Sequence, residues 1–235
     1  MKRSNIIKRI IISLIIFGVI PLVVFLGVKL FEDRNYKVIS IFVAILSCIP
    51  FFIRFEKSNV SAREIIVISV MSAFSIIGRL IFAPIPAFKP VTAITIIAGI
   101  ALGAESGFIV GSMTAVVSNM FYGQGPWTPF QMYVWGIIGY ISGLLFKNSN
   151  NVNKIKLYIL GGFGGIIFSL LMDIWTTVSL DGEFILSRYL VNVFSSLSFM
   201  AIYAVSNIIF LVLLAKPFLE KLNRIKIKYN LFTNK

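Results

Sequence analysis

"AGIALGAESGFIVG", residues 98–111, lies in the middle of an apolar stretch from Val91 to Phe121. Whether the chain bends there decides how often it crosses a membrane. As one helix, residues 91–121 would extend about 46 Å, well beyond the roughly 30 Å of bilayer hydrocarbon. The centre of the stretch (Gly103, Ala104, Glu105, Ser106, Gly107) is turn-like and carries a carboxylate that would be costly at mid-membrane. The stretch therefore reads as two short helices, 91–103 and 107–121.

The sequence around it is that of an integral membrane protein. Of its 235 residues, 58% are hydrophobic and 13% charged, and the mean hydropathy is +0.93. Soluble domains have roughly 45 to 50% and about 25%. Six further apolar runs, 10–28, 38–53, 64–83, 130–146, 157–179 and 190–215, reach or approach the length of about 20 residues that a crossing helix needs. No small-residue cleavage pattern follows the first run, which is expected to stay as an anchor. Eight crossings follow, with both termini in the cytoplasm. On that topology the inner segments hold sixteen of the 22 Lys and Arg, and only Lys29, Arg34, Lys37, Arg79, Lys89 and Arg188 lie outside. Seven crossings would export the basic C-terminal tail against the positive-inside rule.

The net charge of +13 belongs to this retention pattern and not to a nucleic-acid partner. Cys48 is the single cysteine, so there is no disulfide framework, and histidine is absent. That removes His-based metal sites and the commonest general base. No phosphate-cradling G-x-x-x-x-G-K-[ST] loop is present, and no nucleophile stands beside a base. The expectation is a protein without catalytic residues, bound metal or cofactor of its own.

The polar run 54–63, "RFEKSNVSAR", divides the chain. Residues 1–57 read as a two-helix membrane extension, 58–218 as a six-helix core and 219–235 as a basic cytoplasmic tail. The core holds all three tryptophans and nearly all the unusual chemistry. Its outer loops are 80–90, 122–129 and 180–189. Taken singly, Trp127 and Trp135 read as members of an interfacial aromatic belt. With Asn119, Tyr122, Gln124 and Gln131 close by in "SNMFYGQGPWTPFQMYVW", they read together as a ligand site. Arg79, at the helix mouth before the first loop, and Lys89 within that loop add positive charge. Asp173, the only acid well inside a predicted crossing, should face a polar cavity or a partner such as Arg79. Gly99, Gly103, Gly107 and Gly111 recur every fourth residue, a spacing that lets helix backbones approach. Ser69 and Ala73 form a shorter small-residue stripe suited to a partner helix.

These features resemble the substrate-binding S components of energy-coupling factor (ECF) transporters over residues 60–215. The resemblance is carried by "GR" at 78–79, "PIPAFKPVTAITIIAGIALGAESGFIVG" and, most specifically, "GQGPWTPFQM". Within that family the chain is most similar to the branch assigned to cobalamin uptake, although riboflavin or a pyridoxine-like vitamin would satisfy the same residues. The resemblance implies a six-helix core that captures a vitamin from the outer side through its three outer loops. The implied setting is a bacterial plasma membrane, and the implied partners are a T component and two cytoplasmic ATPase subunits, which use the ATP. It also implies that Ser69 and Ala73, in place of the usual Ala pair, dock the T component. The two-helix extension is a departure from a minimal six-helix member. The alternative is a self-sufficient secondary transporter or channel for a small organic solute. It would need mid-membrane ion-coupling groups and usually an internal repeat, and Asp173 is its main support.

Overall fold

The computed structural model describes residues 2–30, 41–49, 53, 61–146 and 152–232. Among the described residues all regular structure is helical. Helix α1 (Lys2–Leu14) passes through a π-helical segment, Ile15–Val19, into α2 (Ile20–Leu30). Helix α3 covers 41–49. Then follow α4 (Ala62–Ile81), α5 (Val91–Leu102), α6 (Ala104–Tyr122), α7 (Thr128–Leu145), α8 (Lys154–Asp181) and α9 (Leu186–Tyr229). Four of the described helical stretches, Ile7–Leu26, α4, α8 and α9, are long and apolar enough to cross a membrane unaided.

The bend expected within residues 98–111 is present and is tighter than the sequence suggests, because Gly103 alone separates α5 from α6. Its φ of 98° and ψ of 167° lie where a side chain would be strained. Its N–H donates to the Gly99 carbonyl, and its own carbonyl accepts from Gly107 N–H. Glu105 thereby falls in the first turn of α6, where the helix dipole favours a negative charge.

Every residue of α5 is buried. With 12 residues it is about 18 Å long. It needs no lipid-facing length, because α4, α6, α7 and α9 pack around it. Glycine sets how close they come. A Cβ at Gly107 would lie on the Gly139 carbonyl and the Gly99 Cα, one at Gly111 on the backbone of Trp135, and one at Gly143 on the backbone of Ala104. The four-residue glycine spacing thus serves two ends. Gly103 turns the chain, while Gly99, Gly107 and Gly111 admit α7 to backbone contact. Ser142 ties the contact by donating to the Ile96 carbonyl at 3.1 Å and the Gly139 carbonyl at 2.7 Å.

Helices α8 and α9 form a second close pair, with Gly165 against the backbone of Tyr203 and Ala204. The residues set apart in the sequence as a tail continue α9 to Tyr229 and then fold back, burying Leu219, Leu222, Leu231 and Phe232. Lys226 Nζ donates to the Ala101 carbonyl at 2.7 Å, among the last four carbonyls of α5, which have no partner within their helix. Phe232 N–H donates to Glu64 Oε1 at 2.7 Å.

The described part of the extension lies along α7 and α8. The Ser13 and Tyr140 hydroxyls are 2.8 Å apart, and the Tyr133 hydroxyl donates to the Ile16 carbonyl in the π-helical segment at 3.0 Å. Ile20 and Val43 join Phe130 and Trp175 in a small separate core. A cavity of about 970 Å³ opens beside it, walled by Phe25, Val43, Phe130, Tyr133, Ile174 and Phe184 among others.

Gly107→Val is expected to destabilise the protein by about 1–3 kcal/mol or more, because the methyls meet backbone that cannot move aside. A lower midpoint of thermal unfolding in detergent would register it. Gly162→Ala, whose Cβ would find only Ile208 at an ordinary 3.5 Å, should leave the midpoint unchanged or slightly raised.

Candidate functional site

An arginine buried away from water must find hydrogen-bond acceptors, because its charge is costly to desolvate. Arg79, in the last turn of α4, is only 8% exposed. Its guanidinium donates to the Ser118 hydroxyl and, at 2.8 Å, to Asn119 Oδ1. It also lies over the rings of Tyr122 and Trp135, at 4.7 and 4.9 Å from their centroids, in cation–π contacts that gain strength when desolvated. Gly78 makes room for the returning loop, since a Cβ there would collide with the Pro90 ring.

Asn119 uses its whole amide. While Oδ1 accepts from Arg79, Nδ2 donates to Thr128 Oγ1 at 2.8 Å and to Gln131 Oε1 at 2.9 Å. Thr128 in turn donates to Gln124 Oε1 at 3.0 Å, and Gln124 Nε2 donates to the Val116 carbonyl at 2.7 Å. The Tyr122 hydroxyl satisfies the Arg79 carbonyl at 2.7 Å. "SNMFYGQGPWTPFQ" is therefore one hydrogen-bonded turn that joins α6 to α7 and grips Arg79 from α4. Lys89 approaches from the α4–α5 loop, with its ammonium 5.4 Å from the Tyr122 ring centroid. Burial first, and then the Arg79 charge, hold that ammonium below the ordinary lysine range.

An aromatic slab continues inward. Trp135 stacks on Phe168 at 5.1 Å and 13°, and Phe168 meets Tyr203 edge-on at 5.0 Å. Beyond it is Asp173, also 8% exposed. It does not pair with Arg79. The Gly165–Ala204 contact sets α8 against α9, and two turns further along, the carboxylate accepts from Ser196 Oγ at 2.6 Å. Tyr203 lies within electrostatic reach of both Arg79 and Asp173.

Of the sequence-derived candidates, Arg79, Lys89, Asn119, Tyr122, Gln124, Gln131 and Trp135 form one connected group. Trp127 lies apart, its ring against Gly125 and 38% exposed, and Asp173 belongs to the α8–α9 pair. Ser118, Thr128, Phe168, Ser196 and Tyr203 are structural members that sequence reading missed. A polar residue in an apolar helix is the usual signal, but the many serines and threonines here could not be ranked by it. Ser69 and Ala73 lie on the open face of α4 with Ile66, Val70 and Phe74, opposite the buried Ile68, Ser72, Ser75 and Arg79.

A family model described as "ECF-type riboflavin transporter, S component" matches residues 59–224, which is well over half of the chain. Over 91 residues the chain is 34% identical to a UPF0397 protein of Aliivibrio fischeri, an alignment covering 37% of this chain and 49% of that protein. A UPF0397 protein of Aliivibrio salmonicida matches with the same identity and coverage. The chain spans about half the length of the curated relatives it matches. No solved structure matches.

Asn119→Ala removes an acceptor from Arg79 and a donor from both Thr128 and Gln131, so it should destabilise by about 2 kcal/mol or more. The thermal midpoint is expected to fall by several degrees. Tyr122→Phe, which removes one hydrogen bond at a part-exposed position, should cost about 1 kcal/mol.

Proposed function

We propose a function from one premise: this chain belongs to the family of ECF-type riboflavin transporter S components. It is accordingly a multi-pass helical membrane protein of a transport family and not of an enzyme family. S components work with a T component and ATPase subunits.

On this reading the Arg79 group is the recognition site for a vitamin. The observation that carries it is the way Arg79 is held. Among the described residues its guanidinium meets two neutral oxygens and two rings and no carboxylate. A charge that is positioned without being neutralised remains available to a carbonyl or anionic group of a ligand. Lys89 stands beside it, and the buried Trp135–Phe168 stack backs the guanidinium. Because the group is already hydrogen-bonded into shape, little ordering entropy is left to lose on binding.

The ligand of choice is riboflavin, which the family description names. Cobalamin, expected from the sequence resemblance, has no such support and becomes the competing outcome. The topology that fits has eight crossings and both termini in the cytoplasm. The turns at 82–90, 123–127 and 182–185 then face outward. Ser69 and Ala73 would meet the T component on the open face of α4, and the extension of residues 1–57 would flank the core along α7 and α8.

Purified protein titrated with riboflavin, and separately with cobalamin, tests this directly. Riboflavin is expected to bind, and Trp135→Ala to weaken it at least tenfold, or about 1.4 kcal/mol. Replacing Ala73 with Trp should reduce co-purification of the ATPase subunits while leaving riboflavin binding intact. Binding of neither vitamin would sink the proposal.

A further inference from the structure

The cavity of about 970 Å³ between the extension and the core takes no part in the Arg79 group. One wall is Pro21, Val24 and Phe25 of α2 with Val43 of α3, all outside the residues 59–224 that match the family model. The facing wall belongs to α7 and α8. On α8 it is a single stripe, Leu171, Ile174, Val178 and Asp181, whose spacing of three and four residues keeps it on one face of the helix. From Leu171 to Asp181 the stripe runs about 15 Å, half of the roughly 30 Å of bilayer hydrocarbon. The cavity is as deep as one leaflet.

Along that depth the wall is hydrocarbon. Apart from Tyr133, Asp181 and Glu183, every side chain that lines it is apolar, and the Tyr133 hydroxyl already donates to the Ile16 carbonyl. Water is a poor filler there because it would find too few hydrogen-bond partners, and a ligand rich in hydroxyls would meet the same cost. Left empty, the cavity forfeits the dispersion contacts of its lining. Both carboxylates stand at one end, where α8 gives way to α9. Asp181 Oδ2 meets Arg188 Nε at 3.1 Å, while Glu183 is exposed and has no ion-pair partner among the described residues. Two carboxylates and one guanidinium leave that end with one surplus negative charge.

We propose that this cavity holds an acyl chain of a membrane phospholipid whose headgroup carries a primary ammonium, with the ammonium placed at Glu183 and Asp181. The apolar depth takes the chain and the charged end selects the head. Moving a chain from bilayer to cavity changes its hydrophobic energy little, since both surroundings are hydrocarbon. The gain is contact with a wall that would otherwise face a void. An anionic headgroup without an ammonium meets the surplus carboxylate and is disfavoured. This site stands independently of the vitamin reading. It also gives the extension a task, because α2 and α3 supply the wall that turns the back of α7 and α8 into a cleft.

The test mixes the full-length protein in detergent with phosphatidylethanolamine or phosphatidylglycerol of identical acyl chains and counts retained lipid by native mass spectrometry. Wild type should favour phosphatidylethanolamine by about twofold to fivefold, the range that one exposed ion pair supports. Glu183→Lys, at an exposed position outside the helices, should abolish or invert that preference. Ile174→Trp fills the cavity from α8 and Val24→Trp fills it from α2, and each should lower retention of both lipids. Riboflavin titrations of all three variants should match wild type. Equal retention of the two lipids by wild type, a preference unchanged in Glu183→Lys, or undiminished retention in both tryptophan variants overturns the proposal. Retention of dodecylamine but of neither phospholipid also overturns it, since the site would then take a free lipophilic amine.

Discussion

The backbones of α5, α6 and α7 touch through Gly99, Gly107, Gly139 and Gly143, and the rest of the core depends on that closeness. In a bilayer the hydrophobic effect does not draw helices together, because lipid tails are as apolar as leucine. Dispersion between closely placed backbones has to do so. Bringing α7 this near to α6 puts the Trp135 backbone against Gly111 and the Trp135 ring beneath Arg79. It also brings Thr128 and Gln131, at the start of α7, within reach of the Asn119 amide at the end of α6. The Arg79 group is thus a consequence of how tightly an apolar three-helix unit is packed.

The second constraint is the handling of charge away from water. Arg79 is satisfied by a hydroxyl, an amide and two ring faces, each fixed in turn by the α6–α7 turn. That arrangement holds the guanidinium in one place. Glu105 is accommodated differently, at the N-terminus of α6, and Lys226 differently again, on the Ala101 carbonyl at the end of α5. In all three cases a helix end does part of the work, because helix ends carry the backbone groups that lack partners.

Helix α7 is shared between two parts of the molecule. The Met132 carbonyl accepts from Ser112 of α6 and the Trp135 ring stacks on Phe168 of α8, while Tyr133 and Tyr140 bond to the N-terminal helix through the Ile16 carbonyl and Ser13. The described part of the extension is therefore seated on the back of α7, and the small core of Ile20, Val43, Phe130 and Trp175 seals that contact.

Much of this was legible in the chain. A 31-residue apolar stretch with glycines and a carboxylate at its centre must bend, and it does so at Gly103. The turn rich in Asn, Gln, Tyr, Pro and Gly had to be something other than lipid-facing, and most of its polar residues join one network. Trp127 and Trp135 could not be told apart by type, however. One ends on Gly125 in a part-exposed turn and the other under Arg79, a difference that arises only from the seating of α7. Asp173 suggested Arg79 as a partner, yet antiparallel packing at Gly165 and Ala204 presents Ser196 instead. Likewise α9 runs past the end of its most apolar run, because Leu219 and Leu222 find a core to bury in. The sequence by itself determined which residues hydrocarbon would not tolerate unpaired, since the cost of burying a charge or an amide belongs to the residue type. Which groups answer them was decided only by the tertiary structure, since hydrogen bonds reach about 3 Å and that distance is set by how closely the helices pack.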